Sequence, residues 1–480
     1  MSTPVWIALL GYLALLLAVG GWAARRTKTT EDFFIAGSRA GLWAVGLATM
    51  AASFSSFVFL GGPGLLYRVG LGSLFITLPV GFTAGLLCRV LATRLRAMAG
   101  EGVLTIPEAL DRRFPGGSVR AAAAISILLG VIAYLGLQFQ GLVVLARGFG
   151  VERPEWALAV GLAVMLAYSV SGGMIAGLYT DVIQGLLMLF AAAVVFVRAL
   201  QLSGGWLSML ESIQGARGAE FLQPQGQLSI PTVLGFFFVF GIGVLGQPHL
   251  LHKFFMLRDP RQIRYLPLIF GGSQILCLAI WIGVGLGVPA LVAQGVLAPL
   301  AAADDATPTF LIRCLPAALG GLLAAGVLAA LMSTADSFLN IGAAAITRDL
   351  PRAFGRPLRN EFRAARIAVV AIALVALVFS RLYADLIALV GTFAFGAFAA
   401  ALAPALVLGL WWRRVTTQAA FASIVSGMTV AVTLEFFTKQ SWFEWLPRPP
   451  LAAGVLPSSV ALSASFLVLL LLSARSRRPS

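Results

Sequence analysis

The sequence predicts an all-α polytopic membrane protein with about thirteen transmembrane helices. Two observations carry this: 59% of the 480 residues are hydrophobic and only 11% are charged, and apolar runs of 18 or more residues recur along the chain. Soluble domains carry about 25% charged residues. The excess of 34 Lys+Arg over 19 Asp+Glu would point to a nucleic-acid partner if it were gathered on one face, but it is scattered between apolar runs. No nucleic-acid partner is expected; the partners are a lipid bilayer and whatever crosses it.

Spans of about 20 residues, the length that crosses a hydrocarbon core, fall at 4–24, 41–67, 72–93, 121–146, 155–171, 174–200, 230–251, 265–293, 315–346, 364–380, 385–411, 417–437 and 455–474. No Lys or Arg precedes the first run, so it reads as a retained span rather than a cleavable signal. Ser171-Gly172-Gly173 must then turn the chain between the fifth and sixth spans. Cys88, Cys277 and Cys314 lie apart with no metal-like spacing, which argues against disulfides and zinc. With the N-terminus outside, 25 of the 34 basic residues fall in inner loops and 9 in outer ones. The positive-inside rule therefore selects N-out, C-in, a multi-pass protein of the cell membrane.

Two spans carry unusual backbone signals. The second contains Gly61-Gly62-Pro63-Gly64, and the seventh contains Gly246-Gln247-Pro248-His249. Proline removes a donor and clashes with the preceding turn, and freed backbone groups are tolerated in lipid only where they line a cavity or meet other partners. Pro63 and Pro248 stand 185 residues and five spans apart. Spans two to six and seven to eleven thus make two five-helix units of opposite orientation, an inverted repeat, and paired broken helices mark a transporter's binding site. Residues 1–480 form one transmembrane domain: 1–40 the first helix and inner loop, 41–200 the first repeat, 230–411 the second, and 412–480 two C-terminal helices.

Polar residues at membrane depth are the remaining signal. In the ninth span, Ser333-Thr334-Ala335-Asp336-Ser337 interrupts an apolar run, and positions 330, 333, 334 and 337 share one face. Adjacent hydroxyls beside the carbonyls of a broken helix can hold a sodium ion. Asp181 and Asp336 cost about 2.5–3.5 kcal/mol each on insertion scales. Neither has a basic partner within its own helix, and no Lys or Arg falls mid-span. A cation, a proton, or neutral donors such as Gln184, Ser337 and Asn340 are expected to satisfy them.

In these residues the chain resembles the sodium/solute symporter family, whose fold is the LeuT-like inverted repeat with flanking helices. The likeness runs through Asp32-Phe33-Phe34-Ile35-Ala36-Gly37-Ser38, Ala52-Ser53-Phe54-Ser55, the Gly61–Gly64 stretch, Thr105-Ile106-Pro107-Glu108, Gly172-Gly173 with Tyr179-Thr180-Asp181-Val182-Ile183-Gln184, Gly246–His249 and Met332–Ser337. The resemblance implies a sodium site formed by the carbonyls of Ala51, Phe54 and Ala330 with the hydroxyls of Ser333 and Thr334. It also implies a second ion site or exit path at Asp181, Ser333, Asp336 and Ser337. The Gly246–His249 stretch is similar to the proline-transporting branch, although Phe240 and Val244 stand where that branch has Trp and Tyr. The candidate solute pocket is Ser53, Ser55, Phe57, Gln138, Phe240, Gln247 and Thr392.

The reading is a sodium-coupled symporter, not an enzyme, that imports a small polar organic solute such as the amino acid proline, with Na+ as coupling ion and no organic cofactor. Alternatives of the same fold are a proton-coupled transporter and a sodium-coupled monocarboxylate or sugar transporter. A membrane sensor and a channel are further alternatives.

Overall fold

A backbone in lipid must satisfy its own hydrogen bonds, and the described residues are almost entirely helical, with a single β-bridge between Ala40 and Leu257. The computed structural model describes residues 3–383, 386–439, 451 and 453–475. The expected start of the eleventh span at 385, the side chain of Cys277, and Arg477 and Arg478 lie outside the described residues.

Among the described residues eleven helices are long and apolar enough to cross a bilayer, and one bent pair makes a twelfth span. In chain order the helices used below are α1 (Thr3–Ala24), the pair α2 (Leu42–Ser53) and α3 (Gly62–Val69), α4 (Leu71–Gly100), α5 (Ile106–Arg113), α6 (Ser118–Gly148), α7 (Pro154–Leu202), α8 (Trp206–Arg217), the pair α9 (Ile230–Gly243) and α10 (Pro248–Lys253), α11 (Leu266–Ala293), α12 (Ala306–Arg313), α13 (Ala317–Ala344), α14 (Glu361–Leu382), α15 (Ile387–Trp411), α16 (Thr417–Lys439) and α17 (Pro457–Arg475).

At 49 residues, α7 would measure roughly 74 Å if straight, more than twice the hydrocarbon thickness. It is broken instead at Gly173, whose φ of 50° and ψ of −142° depart from the helix and suit a residue without a Cβ. A Cβ there would also press on the Phe33 ring. Thr27 Oγ1 donates to the Gly172 carbonyl at 2.8 Å. The Phe33 motif and the paired glycines, far apart in sequence, are therefore two sides of one contact.

The sequence places the break of the second span at its Gly-Pro cluster; the structure places it earlier. Helix α2 ends at Ser53, Phe54 is extended (φ −100°, ψ 107°), and a wide turn over Phe57–Gly61 leads into α3, bent by 57° from α2. The cluster serves packing. A Cβ on Gly62 would overlap the Trp281 indole, and one on Gly64 would crowd the Ala303 carbonyl. Pro63 has no N–H to offer the carbonyl four residues back, and that carbonyl, on Phe59, accepts the Thr307 hydroxyl at 2.7 Å. In the seventh span the break falls at the motif itself: Gln247 is extended (φ −80°, ψ 105°) and Pro248 opens α10.

At the centre, α7 packs against α1, α2, α11 and α13, and α13 also meets α2, α6 and α10. Helix α13 is buried continuously from Leu323 to Ala344, so its polar side chains face protein. One end of the bundle is tied by ion pairs. Thr105 caps α5 by accepting from the Glu108 N–H at 3.2 Å and donates its hydroxyl to Asp349 at 2.6 Å. Arg348 bonds Glu108 at 3.1 Å, and Arg120 bonds Asp349 at 3.0 Å. The Thr105–Glu108 motif is thus a helix cap joined to a charged network.

Candidate functional site

The break between α2 and α3 exposes backbone groups that other elements must meet. The Ser56 N–H is taken by Gln138 Oε1 of α6 at 3.0 Å. The Thr334 hydroxyl of α13 lies 3.2 Å from the Phe54 carbonyl and 3.3 Å from that of Ala52. Three oxygens from two helices therefore converge where α2 stops. The Ala51 carbonyl accepts the Phe54 N–H at 3.2 Å, and Ala330 is fully buried one turn before Thr334 on α13.

One turn away, Ser333 faces another group. Its hydroxyl donates to Asp181 Oδ1 at 2.6 Å. The other oxygen of Asp181 accepts Lys253 Nζ at 2.7 Å, with both side chains fully shielded from solvent. This corrects two expectations. Asp181 does have a basic partner, and Lys253 is not a loop charge facing the cytoplasm but the buried last residue of α10. The pair spans 72 residues and two elements, so neither helix on its own reveals it.

Asp336 is satisfied by neutral donors on one side. Its Oδ1 accepts from the Ser169 hydroxyl and from Asn340 Nδ2, the latter at 3.2 Å. Its Oδ2 has no hydrogen-bond partner among the described residues, nor does the Ser337 hydroxyl. Of the expected neutral donors Asn340 is in place, whereas Gln184 donates to the Tyr12 hydroxyl at 2.7 Å instead.

Beyond the two breaks lies an aromatic group. Phe57 stacks on Phe240 at 5.4 Å with rings 8° apart, Phe240 stacks on Phe395 at 4.4 Å, and the Trp281 ring meets Phe57 edge-on at 6.1 Å. Gln247 Nε2 donates to the carbonyls of Gly243 and Phe395 at 3.1 and 3.0 Å. Three buried polar atoms here, Gln138 Nε2, Gln247 Oε1 and Trp281 Nε1, have no partner among the described residues. Apolar walls with a few unspent polar groups are what a small-molecule site offers. A separate cavity of about 290 Å³ between α1, α6, α7 and α13, lined by Trp6, Leu13, Leu142, Phe149 and Trp156, has apolar walls and nothing to hold a polar solute.

The profile of the sodium:solute symporter family matches residues 33–427. The chain belongs to that family. It is 28% identical over 462 residues to the sodium/proline symporter of Salmonella typhimurium, an alignment covering 92% of this chain and 89% of the relative. It is 27% identical over 452 residues to the sodium/pantothenate symporter of Escherichia coli, covering 90% and 91%. Its fold is similar to that of a substrate-bound, outward-open Na+-coupled sialic acid symporter, with a TM-score of 0.80 at 20% identity, covering 100% and 99% of the two chains. A sodium:solute symporter is a transporter rather than an enzyme, and this one is a multi-pass membrane protein.

Among the residues the sequence singles out in this symporter, Phe54 and Thr334 are brought together, and Ser333 joins Asp181. Asp336 stands beside that pair, with Ser337 following it on α13. Phe57, Phe240 and Gln247 gather around Phe395. Gln138 reaches the same break through Ser56, and Ser55 accepts the Phe57 N–H at 3.2 Å. Ser53 lies slightly apart, its hydroxyl bonded to the Met50 carbonyl and to Gln274 Nε2, both at 2.6 Å. Thr392 spends its hydroxyl on the Ala388 carbonyl at 2.8 Å. Sequence reasoning missed Lys253, Ser169, Trp281 and Phe395. Trp281 had a signal: the crowded glycines of the second span require a large neighbour.

Proposed function

We propose that this symporter imports a small amino acid such as proline, driven by sodium bound between the end of α2 and the hydroxyls of α13. The observation that carries the reading is the meeting of the Thr334 hydroxyl with the Phe54 and Ala52 carbonyls. Sodium is a hard cation that takes oxygen ligands, and unwound backbone in a discontinuous helix supplies them. The donor set here is all oxygen and suits it. Ala51, Ala330 and Ser333 complete the assigned ligands, Ser333 after turning from Asp181.

Sodium at this junction bridges the broken helix to the buried α13. It favours the conformation in which those oxygens converge, and any solute that binds the same conformation gains affinity by the same coupling. Solute carbons rest on Phe57, Phe240 and Trp281, while Gln138, Gln247 and the Trp281 N–H meet its polar ends. Division of α7 at Gly173 makes thirteen spans. With Lys253 set aside as buried, 24 basic residues against 9 still favour an N-terminus outside and a C-terminus inside, and spans two to six and seven to eleven form the inverted repeat.

Thermal stabilisation of the purified protein by amino acids, monocarboxylates and sugars, with and without sodium, tests this. An amino acid that stabilises only when sodium is present supports the proposal. Equal stabilisation without sodium contradicts the coupling, and a response only to sugars or monocarboxylates contradicts the substrate class.

A further inference from the structure

We infer that Lys253 is the resident cation of the Asp181 site, so that this chain binds a single sodium, the one between α2 and α13. The inference rests on the sodium-coupled reading and narrows it to a stoichiometry. Asp181 Oδ2 is engaged by Lys253 Nζ at 2.7 Å, and Oδ1 accepts the Ser333 hydroxyl at 2.6 Å; when that hydroxyl turns to the sodium between α2 and α13, the ammonium stays beside the carboxylate. Lys253 and Asp181 are each fully buried, so neither charge is answered by water. An ammonium at hydrogen-bond distance takes the position beside the carboxylate that a second sodium would need, and like charges cannot share it.

The neighbouring carboxylate is engaged on one of its oxygens and packed on the other. Asp336 Oδ1 is held by Ser169 and Asn340, and Oδ2 lies against Gly177, where any Cβ would overlap it.

The placement also gives the pair a mechanical role. Lys253 ends α10, the short second half of a broken helix, whereas Asp181 sits in α7 and Ser333 in α13. A sodium ion here would leave with each transport cycle. A lysine cannot leave; it moves with α10 and returns, and it supplies the attraction that closes three elements together without adding a transported charge.

Equilibrium binding of radioactive sodium to purified full-length protein tests this, with the number bound per chain as readout. Wild type is expected to bind one, and Lys253→Met to bind a second in the vacated place. The double variant Lys253→Met/Asp181→Asn, which leaves no buried charge unpaired at this site, is expected to bind one and covers the case in which the single variant does not fold. Two sodium ions on wild type, no gain in a folded Lys253→Met, or two on the double variant each overturn the inference. A wild type that binds none overturns the sodium-coupled reading itself, so the two failures are distinguishable.

Discussion

Lys253→Met is the perturbation whose energetic consequence is most clearly set by the structure. The substitution keeps most of the length of the side chain but removes the charge from a pair with 0% exposure on both partners and a 2.7 Å separation. Asp181 is left buried with the Ser333 hydroxyl alone. Breaking a buried ion pair from one side costs about 3–5 kcal/mol, because the orphaned charge stays desolvated, whereas replacing both partners by neutral groups is close to neutral. Ser333→Ala removes one hydrogen bond to a charged group and costs about 1.5–3 kcal/mol. Thermal unfolding in detergent, followed by tryptophan fluorescence in sodium-free buffer, should rank wild type and Lys253→Met/Asp181→Asn together at the top, Ser333→Ala below them and Lys253→Met lowest. Added sodium should restore Lys253→Met by about 2.7 kcal/mol at a concentration 100 times the dissociation constant of the vacated site. A single variant as stable as wild type without sodium, or a double variant as weak as the single, refutes this account of the pair.

Other consequences follow from the packing around the breaks. Gly62→Ala drives a methyl into the Trp281 indole and should cost about 1–3 kcal/mol by overpacking; thermal stability measures it, and Trp281→Leu in the same chain should recover most of the loss. Thr307→Val leaves the Phe59 carbonyl without its hydroxyl donor and should lower stability by about 1–3 kcal/mol, while Thr309→Val, two residues on, should not. Burial opposes the charge of Glu108, yet the Arg348 hydrogen bonds and charge, the Leu104 N–H and Arg120 together hold its carboxyl below the ordinary value of 4.5. Its contribution is therefore complete above that pH and lost as pH falls through the depressed value. The stability difference between wild type and Glu108→Gln, measured by denaturation across pH, should shrink on acidification below 4.5 and not above it.

Much of the architecture was legible because its physics is local. A run of twenty apolar residues declares a helix wherever it sits, and Gly172-Gly173 declares a break because Gly173 needs a φ of 50°. The serine-threonine run of α13 is visible as polarity in the wrong place. What the sequence hid is long-range. Proline and glycine at positions 61–64 look like the break itself, yet the chain opens at Phe54, because the Gly62 surface is used by Trp281 and the carbonyl that Pro63 leaves free is taken by Thr307. Lys253 lies next to a cluster of basic loop residues and reads as one of them; only the fold shows that α10 carries it inward to Asp181. Charge counting locates a residue along the chain, and burial depends on what folds over it.

The central claim is that sodium held where α2 stops against α13 drives solute uptake. Its most direct test is amino-acid uptake into proteoliposomes under an inward sodium gradient, comparing wild type with Thr334→Ala. The account predicts uptake that requires the gradient in wild type, and in Thr334→Ala a much higher sodium concentration for half-maximal rate. Uptake that proceeds without sodium, or a Thr334→Ala protein with an unchanged sodium dependence, would contradict it.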